Sequence, residues 1–174
     1  MIRTKRAAQD AGFPNDNAGK LAAAIAEFYS NVIEHSQSCS TGYVVFSAKN
    51  GTFEFVVADS GIGVLNSLRT NPRFADLSDS GRALELALSE GVTRHTDPGH
   101  GNGFRPLFIG LANISRFIRF RSDDHSREII RADDQNIRSI TRQGSKLRGF
   151  FCSVLCEVSP LSRQYLNPPS SAPG

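Results

Sequence analysis

The chain lacks the residues and segments that stabilise or anchor proteins by special means. Its three cysteines are an odd number without CxxC spacing, so the sequence predicts neither a disulfide framework nor a zinc site. No run approaches the ~20 apolar residues of a membrane span. The basic residues behind Met1 lead into polar sequence without the apolar core of a signal peptide. These absences predict a soluble, cytoplasmic chain in a reducing compartment, with no membrane segment.

The chain also lacks a strong excess of charge of either sign. The 20 basic and 17 acidic residues are spread along 174 positions and give a formal net charge of +3. The densest basic patch, at residues 116–121, alternates with apolar residues as an exposed strand face does, so it does not indicate a nucleic-acid partner. The length fits one domain with one core.

The clearest periodic pattern predicts an amphipathic helix over residues 19–36. Its apolar residues recur at three- and four-residue steps, namely Leu21, Ile25, Phe28 and Val32. Two segments rich in β-branched and aromatic residues follow at 43–48 and 52–58. Asn50 and Gly51 between them are typical of a tight hairpin turn, so these two strands should pair antiparallel.

After residue 63 the sequence becomes polar and irregular, which predicts a lid-like excursion up to about residue 99. Within it, residues 82–90 predict one short helix. A longer helix should begin at Gly103 and end near Ser115, since Pro106 suits the first turn, where its missing N–H is no loss.

The last third of the chain predicts strands separated by a polar loop. The predicted strands are residues 117–121, 128–131 and 150–158. The end, residues 159–174, is too poor in apolar residues to pack and is predicted to be disordered. We therefore predict an N-terminal extension over 1–18, one domain over 19–158 and a disordered tail.

A first candidate motif lies on the predicted helix. Glu27, Asn31 and His35 recur at four-residue intervals, so they project along one side of it. An asparagine oxygen suits Mg²⁺, and a carboxylate one turn away can orient or deprotonate a nucleophile. Taken alone, the pattern is more often the solvated face of an amphipathic helix.

A second candidate motif ends an apolar strand. Asp59 is followed by Gly61 and Gly63, which would fix a carboxylate at a sheet edge beside backbone that can approach a flat ring. A carboxylate accepts hydrogen bonds, so it suits an exocyclic amine such as that of adenine. A β-turn capped by Asp59 is the alternative.

A third candidate motif consists of Gly99, Gly101 and Gly103. They stand directly before a predicted helix, so the N–H groups of their loop can face phosphate oxygens at the positive end of the helix dipole. No GK[ST] follows, which excludes a Walker loop, and the glycine spacing excludes a Rossmann fingerprint. A flexible connection is the alternative.

In this order the three motifs resemble the N, G1 and G2 boxes of the gyrase, chaperone, histidine kinase and mismatch-repair (GHKL) ATPase superfamily. The resemblance covers residues 18–158, and Gly144, Ser145 and Gly149 look like the closing box of the same family. It implies an α/β (α+β) two-layer sandwich of the Bergerat type. A mixed, mostly antiparallel sheet would be covered on one face by helices, with ATP bound between helices and lid.

The resemblance also implies residue roles. Glu27 would be the catalytic base or water-orienting carboxylate, and Asn31 the Mg²⁺ ligand. Asp59 would read adenine, with Gly61 and Gly63 beside the ring. The three glycines at 99, 101 and 103 would form a phosphate-facing hinge of the lid.

Some positions depart from the commonest kinase pattern. Asn102 and Phe104 replace the usual leucines of the second glycine box, which puts the packing of the lid in question more than nucleotide binding. His35 is counted with the nucleotide-binding residues, and its arrangement resembles the anti-sigma-factor serine kinases.

The implied function is Mg²⁺-dependent ATP binding for phosphoryl transfer, as the ATP-binding domain of a histidine kinase or a related anti-sigma-type protein kinase. The implied partners are ATP and a protein: a response regulator, a phosphoacceptor domain, or a sigma or anti-sigma factor. No acceptor helix is evident upstream of residue 19, so we expect an excised domain or a subunit acting in trans.

Two alternative functions stay open. The first is an ATP-gated conformational ATPase of the gyrase or chaperone type, which the length disfavours because a transducer domain has no room after residue 158. The second is a non-catalytic nucleotide-binding regulatory module.

Overall fold

The computed structural model describes residues 1–88, 111, 114–133 and 136–158. Its helices are α1 (Ile2–Asp10), α2 (Asn15–His35), α3 (Gly63–Arg69) and α4 (Ser80–Ala87). Its strands are β1 (Tyr43–Lys49), β2 (Thr52–Asp59), β3 (Ser115–Asp133) and β4 (Asn136–Glu157). The predicted helix that begins at Gly103 and the predicted tail lie outside these residues, apart from the end of the helix.

The described strands form one sheet in the order β1-β2-β4-β3, and every neighbouring pair is antiparallel. Helices cover one face of the sheet, so the predicted two-layer α+β sandwich is confirmed. Within the described residues, no helix combines the length and apolarity that a membrane crossing needs.

The core lies between α2 and the inner face of the sheet. The predicted apolar face of α2 is confirmed, because Leu21, Ile25, Phe28 and Val32 are each less than 10% exposed. The Phe28 ring lies 6.1 Å from that of Phe55 on β2 and 6.0 Å from that of Phe120 on β3, between centroids. Cys152 and Cys156 of β4 are fully buried in the same core.

The segment before residue 19 also contributes to this core. Ala8 of α1 and Phe13 behind it are buried, and the Phe13 ring meets the Phe53 ring edge-on at 6.3 Å. Helix α2 begins at Asn15, four residues earlier than predicted. The predicted extension is therefore packed structure in the described residues.

The first hairpin, β1–β2, matches its prediction. Asn50 and Gly51 have φ angles of 52° and 79°, which Asn-Gly adopts readily in a two-residue turn, and Lys49 pairs with Thr52 across it. The turn is also fixed from outside, since the Gly51 N–H donates to the Ala11 carbonyl at 2.9 Å and its own carbonyl accepts from Val158 at 2.8 Å.

The prediction for the second hairpin, β3–β4, was wrong in its strand bounds. The residues expected to form a polar loop before residue 150 are mostly strand β4, and the two strands expected at 117–121 and 128–131 are one, β3. These residues are polar because much of β4 before Gly149 is exposed, so their composition resembled that of a loop.

Strand β3 bends sharply at Ser122 and Asp123, where the register shifts and Asp123 has a φ of 53°. The Arg116 guanidinium donates to the carbonyl of Ala132 at 2.7 Å. Straight strand would separate residues 16 apart by ~53 Å, so the strand folds back on itself.

The segment after residue 63, predicted to be irregular apart from one short helix, is described as far as residue 88. It contains α3 and α4, which bury Leu68 and Leu84 respectively. Helix α4 begins two residues before the predicted helix, because the Asp79 carboxylate caps it by accepting from the Arg82 N–H at 2.5 Å. This part of the chain therefore contains a second helix, α3, that was not predicted, and both helices contribute a buried leucine.

Candidate functional site

The Asp59 side chain is buried at the end of β2, only 7% exposed. Its Oδ1 accepts a hydrogen bond from the Gly61 N–H at 2.7 Å, the geometry of a turn capped by its own aspartate. Burial raises the pKa of Asp59, and backbone hydrogen bonds from Gly61 and Phe150 only partly oppose this shift. A carboxylate has about four acceptor positions, so these contacts leave room for an amine of a ligand.

Gly61 joins this turn to the end of helix α2. A Cβ atom at Gly61 would overlap the carbonyl oxygen of Ser36, the residue after α2, and would lie 2.7 Å from the Ser36 Cβ. The neighbouring Ile62 N–H donates to the same carbonyl at 3.0 Å. Glycine is therefore required here by the close approach of the helix end, a reason that the sequence pattern did not give.

This contact brings the first two candidate motifs together. His35 is the last residue of α2, next to Ser36, and Asn31 and Glu27 follow toward the N-terminus at helical rises of ~7.5 and ~13.5 Å from Ser36. All three side chains are partly exposed, whereas Phe28 and Val32 face the core. A polar line thus leads away from the Asp59 turn along one side of α2.

Of the predicted closing box, Gly149 is the residue that lies against Asp59. It has a φ of +84°, and a Cβ atom there would overlap the Asp59 carbonyl oxygen. Gly144, in contrast, has nothing within 4 Å of such an atom. The Ser145 carbonyl accepts from the Arg121 guanidinium at 3.0 Å, on the bent hairpin.

Sequence reasoning missed Ser122, a buried serine beside these glycines. Its hydroxyl lies 2.8 Å from the Gly149 carbonyl and 2.9 Å from the Val64 N–H at the start of α3. A small polar residue at the end of a predicted strand gives no signal of such a position. It becomes visible only when the bend of β3 is known.

The placement of the third motif is not described by the structure. Gly99, Gly101 and Gly103 lie outside the described residues, and so do Asn102 and Phe104. Across the parts of the chain that the structure describes, no group of three or more His, Cys, Asp or Glu side chains could hold a metal ion. Asn31 is the described residue of the predicted site whose oxygen suits Mg²⁺ bound mainly by phosphates and water.

Of three comparisons with known proteins, one identifies the family of this chain. A family model described as "Histidine kinase-like ATPase domain" matches residues 2–105, more than half of the chain. No curated protein matches. A solved structure, "Crystal Structure of N terminal domain of a DNA repair protein", aligns at 13% identity with a TM-score of 0.39. That alignment covers 82% of this chain and 39% of the other protein's chain, so this chain spans well under half of the other protein's length.

The match includes the helix with Glu27 and Asn31 and the turn with Asp59. It begins at residue 2, while the predicted domain boundaries at residues 18 and 158 stay predictions. The chain belongs to the histidine kinase-like ATPase domain family, a family of ATP-binding domains.

Proposed function

We propose that the chain binds ATP with Mg²⁺ and transfers its γ-phosphoryl group to a protein acceptor, as the catalytic domain of a histidine kinase or a related anti-sigma-type kinase. The observation that carries the proposal is the buried carboxylate of Asp59 in a turn packed on the end of α2. A buried, partly satisfied carboxylate beside a polar helix face is suited to one end of an elongated ligand.

Asp59 would accept a hydrogen bond from the adenine amine. Keeping a carboxylate buried is unfavourable, as the raised pKa of Asp59 indicates, and a bound amine would offset that cost. Guanine carries a carbonyl oxygen where adenine carries its amine, so the same carboxylate would reject it.

Asn31 and Glu27 would serve the phosphate end. Along α2 they lie at rises of ~7.5 and ~13.5 Å from Ser36, the residue that contacts the Asp59 turn. An extended nucleotide with its adenine at Asp59 would therefore direct its phosphates toward Asn31 first and Glu27 next. Asn31 would supply one oxygen to the ion, and Glu27 would orient or deprotonate the nucleophile. Mg²⁺ itself would neutralise charge on the phosphate oxygens.

Nucleotide binding is tested first, by calorimetry and thermal denaturation of the whole chain. Linkage gives about 2.7 kcal/mol of stabilisation at a hundredfold excess over the dissociation constant, so Mg-ATP should raise the melting temperature clearly. A blank titration together with an unchanged melting temperature at millimolar Mg-ATP would contradict the proposal.

Three variants separate the proposed roles. Asp59→Asn should lose ATP affinity and preference over GTP, because it presents a donor to the adenine amine. Asn31→Ala should chiefly remove the Mg²⁺ dependence of binding. Glu27→Ala should bind ATP almost normally but lose turnover, as expected for a residue that acts in the transition state.

Glu34→Ala is the matched control. Glu34 lies on the same helix, is exposed and accepts from the Ser30 hydroxyl at 3.1 Å, so its removal should change neither binding nor turnover. Loss of ATP binding in Glu27→Ala as complete as in Asp59→Asn would refute the assignment of Glu27.

Phosphoryl transfer is tested with ATP labelled in its γ-phosphate and a supplied phosphoacceptor domain. The acceptor should become labelled with the wild-type chain and much more slowly with Glu27→Ala. If ATP binds but no supplied acceptor is labelled, the regulatory-module alternative is favoured over the kinase.

A further inference from the structure

We propose that Ser122 is a positioning residue for the adenine end of the site, because its hydroxyl holds together the backbone segments that surround Asp59. This inference rests on the proposed ATP function. Ser122 lies at the bend of β3 and is not among the residues that the family resemblance identifies.

The hydroxyl of Ser122 makes two hydrogen bonds to backbone. It accepts from the Val64 N–H at 2.9 Å and donates to the Gly149 carbonyl at 2.8 Å, and a hydroxyl can do both at once. Ser122 is 2% exposed, so water does not replace these partners. One side chain thereby connects the first turn of α3 with strand β4.

The backbone of Gly149 carries this contact to Asp59. Gly149 packs so closely on the Asp59 carbonyl that any Cβ atom would overlap it. On the other side of the hydroxyl, Gly63 approaches with a φ of +75°, and a Cβ atom there would lie 2.8 Å from the Ser122 Oγ. The backbone that follows the Asp59 turn, at Gly63, and the backbone packed against Asp59, at Gly149, therefore both contact Ser122.

The opposite side of the turn is held by the Ser36 carbonyl, as described above. Asp59 is thus positioned from two directions, by the end of α2 and by the bend of the long hairpin. Binding sites depend on placement within about 0.5 Å, so loosening one side should change how the carboxylate meets its ligand.

The test compares Ser122→Ala with Ser126→Ala in the full-length chain. Ser126 is also buried, at 8% exposure, and lies four residues further along β3, so the two changes remove the same atom from the same strand. Dissociation constants for Mg-ATP and Mg-GTP are measured by calorimetry, together with melting temperatures and amide exchange at Val64.

Ser122→Ala should bind ATP about tenfold more weakly and should lose part of the preference for ATP over GTP, because buried backbone groups lose their partner. Exchange at the Val64 amide should accelerate. Ser126→Ala should change none of these. Ser122→Cys, whose thiol is a weaker donor and acceptor, should fall between serine and alanine and decides the matter if the alanine variant does not fold.

The inference is overturned if Ser122→Ala only melts earlier while its ATP affinity and its selectivity equal those of the wild type. Failure of the proposed function differs from this outcome, because then the wild-type chain itself binds no ATP.

Discussion

The two hairpins of this sheet are held in shape by different means. In β1–β2, the Asn50-Gly51 turn and the alternating burial of β2 agree with the local sequence pattern, and hydrogen bonds of Gly51 with Ala11 and Val158 add to the turn. In β3–β4 the strands are long and polar, and the bend at Ser122 depends on contacts with distant segments. The local sequence pattern was therefore enough to predict the short hairpin, whereas the shape of the long one follows from contacts between distant segments.

Helix α4 provides the contacts for the outer part of the long hairpin. The Ser80 hydroxyl donates to the Asp123 carboxylate at 2.7 Å, directly at the bend. Further out, the Thr141 hydroxyl accepts from Arg127 at 2.7 Å and donates to Glu85 of α4 at 3.1 Å. These are hydrogen bonds between residues 14 to 56 positions apart, which no short window of sequence contains.

The largest expected effect lies where the two hairpins meet. Gly149→Ala places a methyl group on the Asp59 carbonyl at a positive φ, so we expect a loss of about 3 kcal/mol or more in the free energy of unfolding. Gly144→Ala in the same strand meets nothing and should stay within about 0.5 kcal/mol of the wild type. Urea denaturation measures both, and equal effects would contradict the described packing.

Replacing threonine by valine in each hairpin should change the free energy of unfolding by different, smaller amounts. Thr141→Val removes a hydroxyl with two partners and should cost about 1 kcal/mol, because Arg127 and Glu85 lose a contact. Thr52→Val at the start of β2 should be near neutral, since valine favours strands as threonine does. Urea midpoints test the pair, and a larger loss at Thr52 would reverse the comparison.

The short hairpin ends in a group that should destabilise the folded chain. Because the pKa of Asp59 is raised on folding, its folded form retains the proton to higher pH than the unfolded chain does. The free energy of unfolding therefore falls as pH rises from about 4 through the raised pKa. Asp59→Asn should relieve this, so without nucleotide it should melt above the wild type at neutral pH.

Thermal melts of both proteins at several pH values check this prediction. The difference between them should shrink as pH falls below the raised pKa, where the wild-type carboxyl is also uncharged. A variant that melts lower at every pH would show instead that the contacts of the carboxylate with Gly61 and Phe150 outweigh its desolvation.

The smallest expected effect is that of Arg82 on α4. Its guanidinium lies 3.3 Å from Glu85, but its side chain is 61% exposed, so Arg82→Ala should cost less than about 0.5 kcal/mol and less still at high salt. Denaturation at two salt concentrations measures it. A cost equal to that of Thr141→Val would contradict the expectation that an exposed pair within α4 contributes less than a hydroxyl that joins α4 to the hairpin.

The sequence was sufficient where structure follows from near neighbours. Periodicity identified the buried face of α2, and Asn50-Gly51 identified the short hairpin and so the position of Asp59 at its end. It was insufficient where the determining contact is distant. The outer half of β4 is polar because most of it is exposed, and such composition is shared with loops. Helix α3 has only seven residues, too few for a clear periodic pattern.

The same distinction applies to the candidate site. Spacing along one helix identified Glu27 and Asn31 as neighbours, since helical geometry alone brings them to one side. It did not show that Gly61 meets Ser36 or that Ser122 meets Val64, because those contacts join residues 25 and 58 positions apart.

The reactivity of the two buried cysteines of β4 reports whether the sheet is closed. Burial raises the pKa of Cys152 well above its usual range and that of Cys156 to about 12, so neither forms the reactive thiolate while the sheet is closed. Cys39 is exposed and is open to reagents at once. An alkylating reagent should therefore modify Cys39 quickly, and Cys152 and Cys156 only after β4 has left the core.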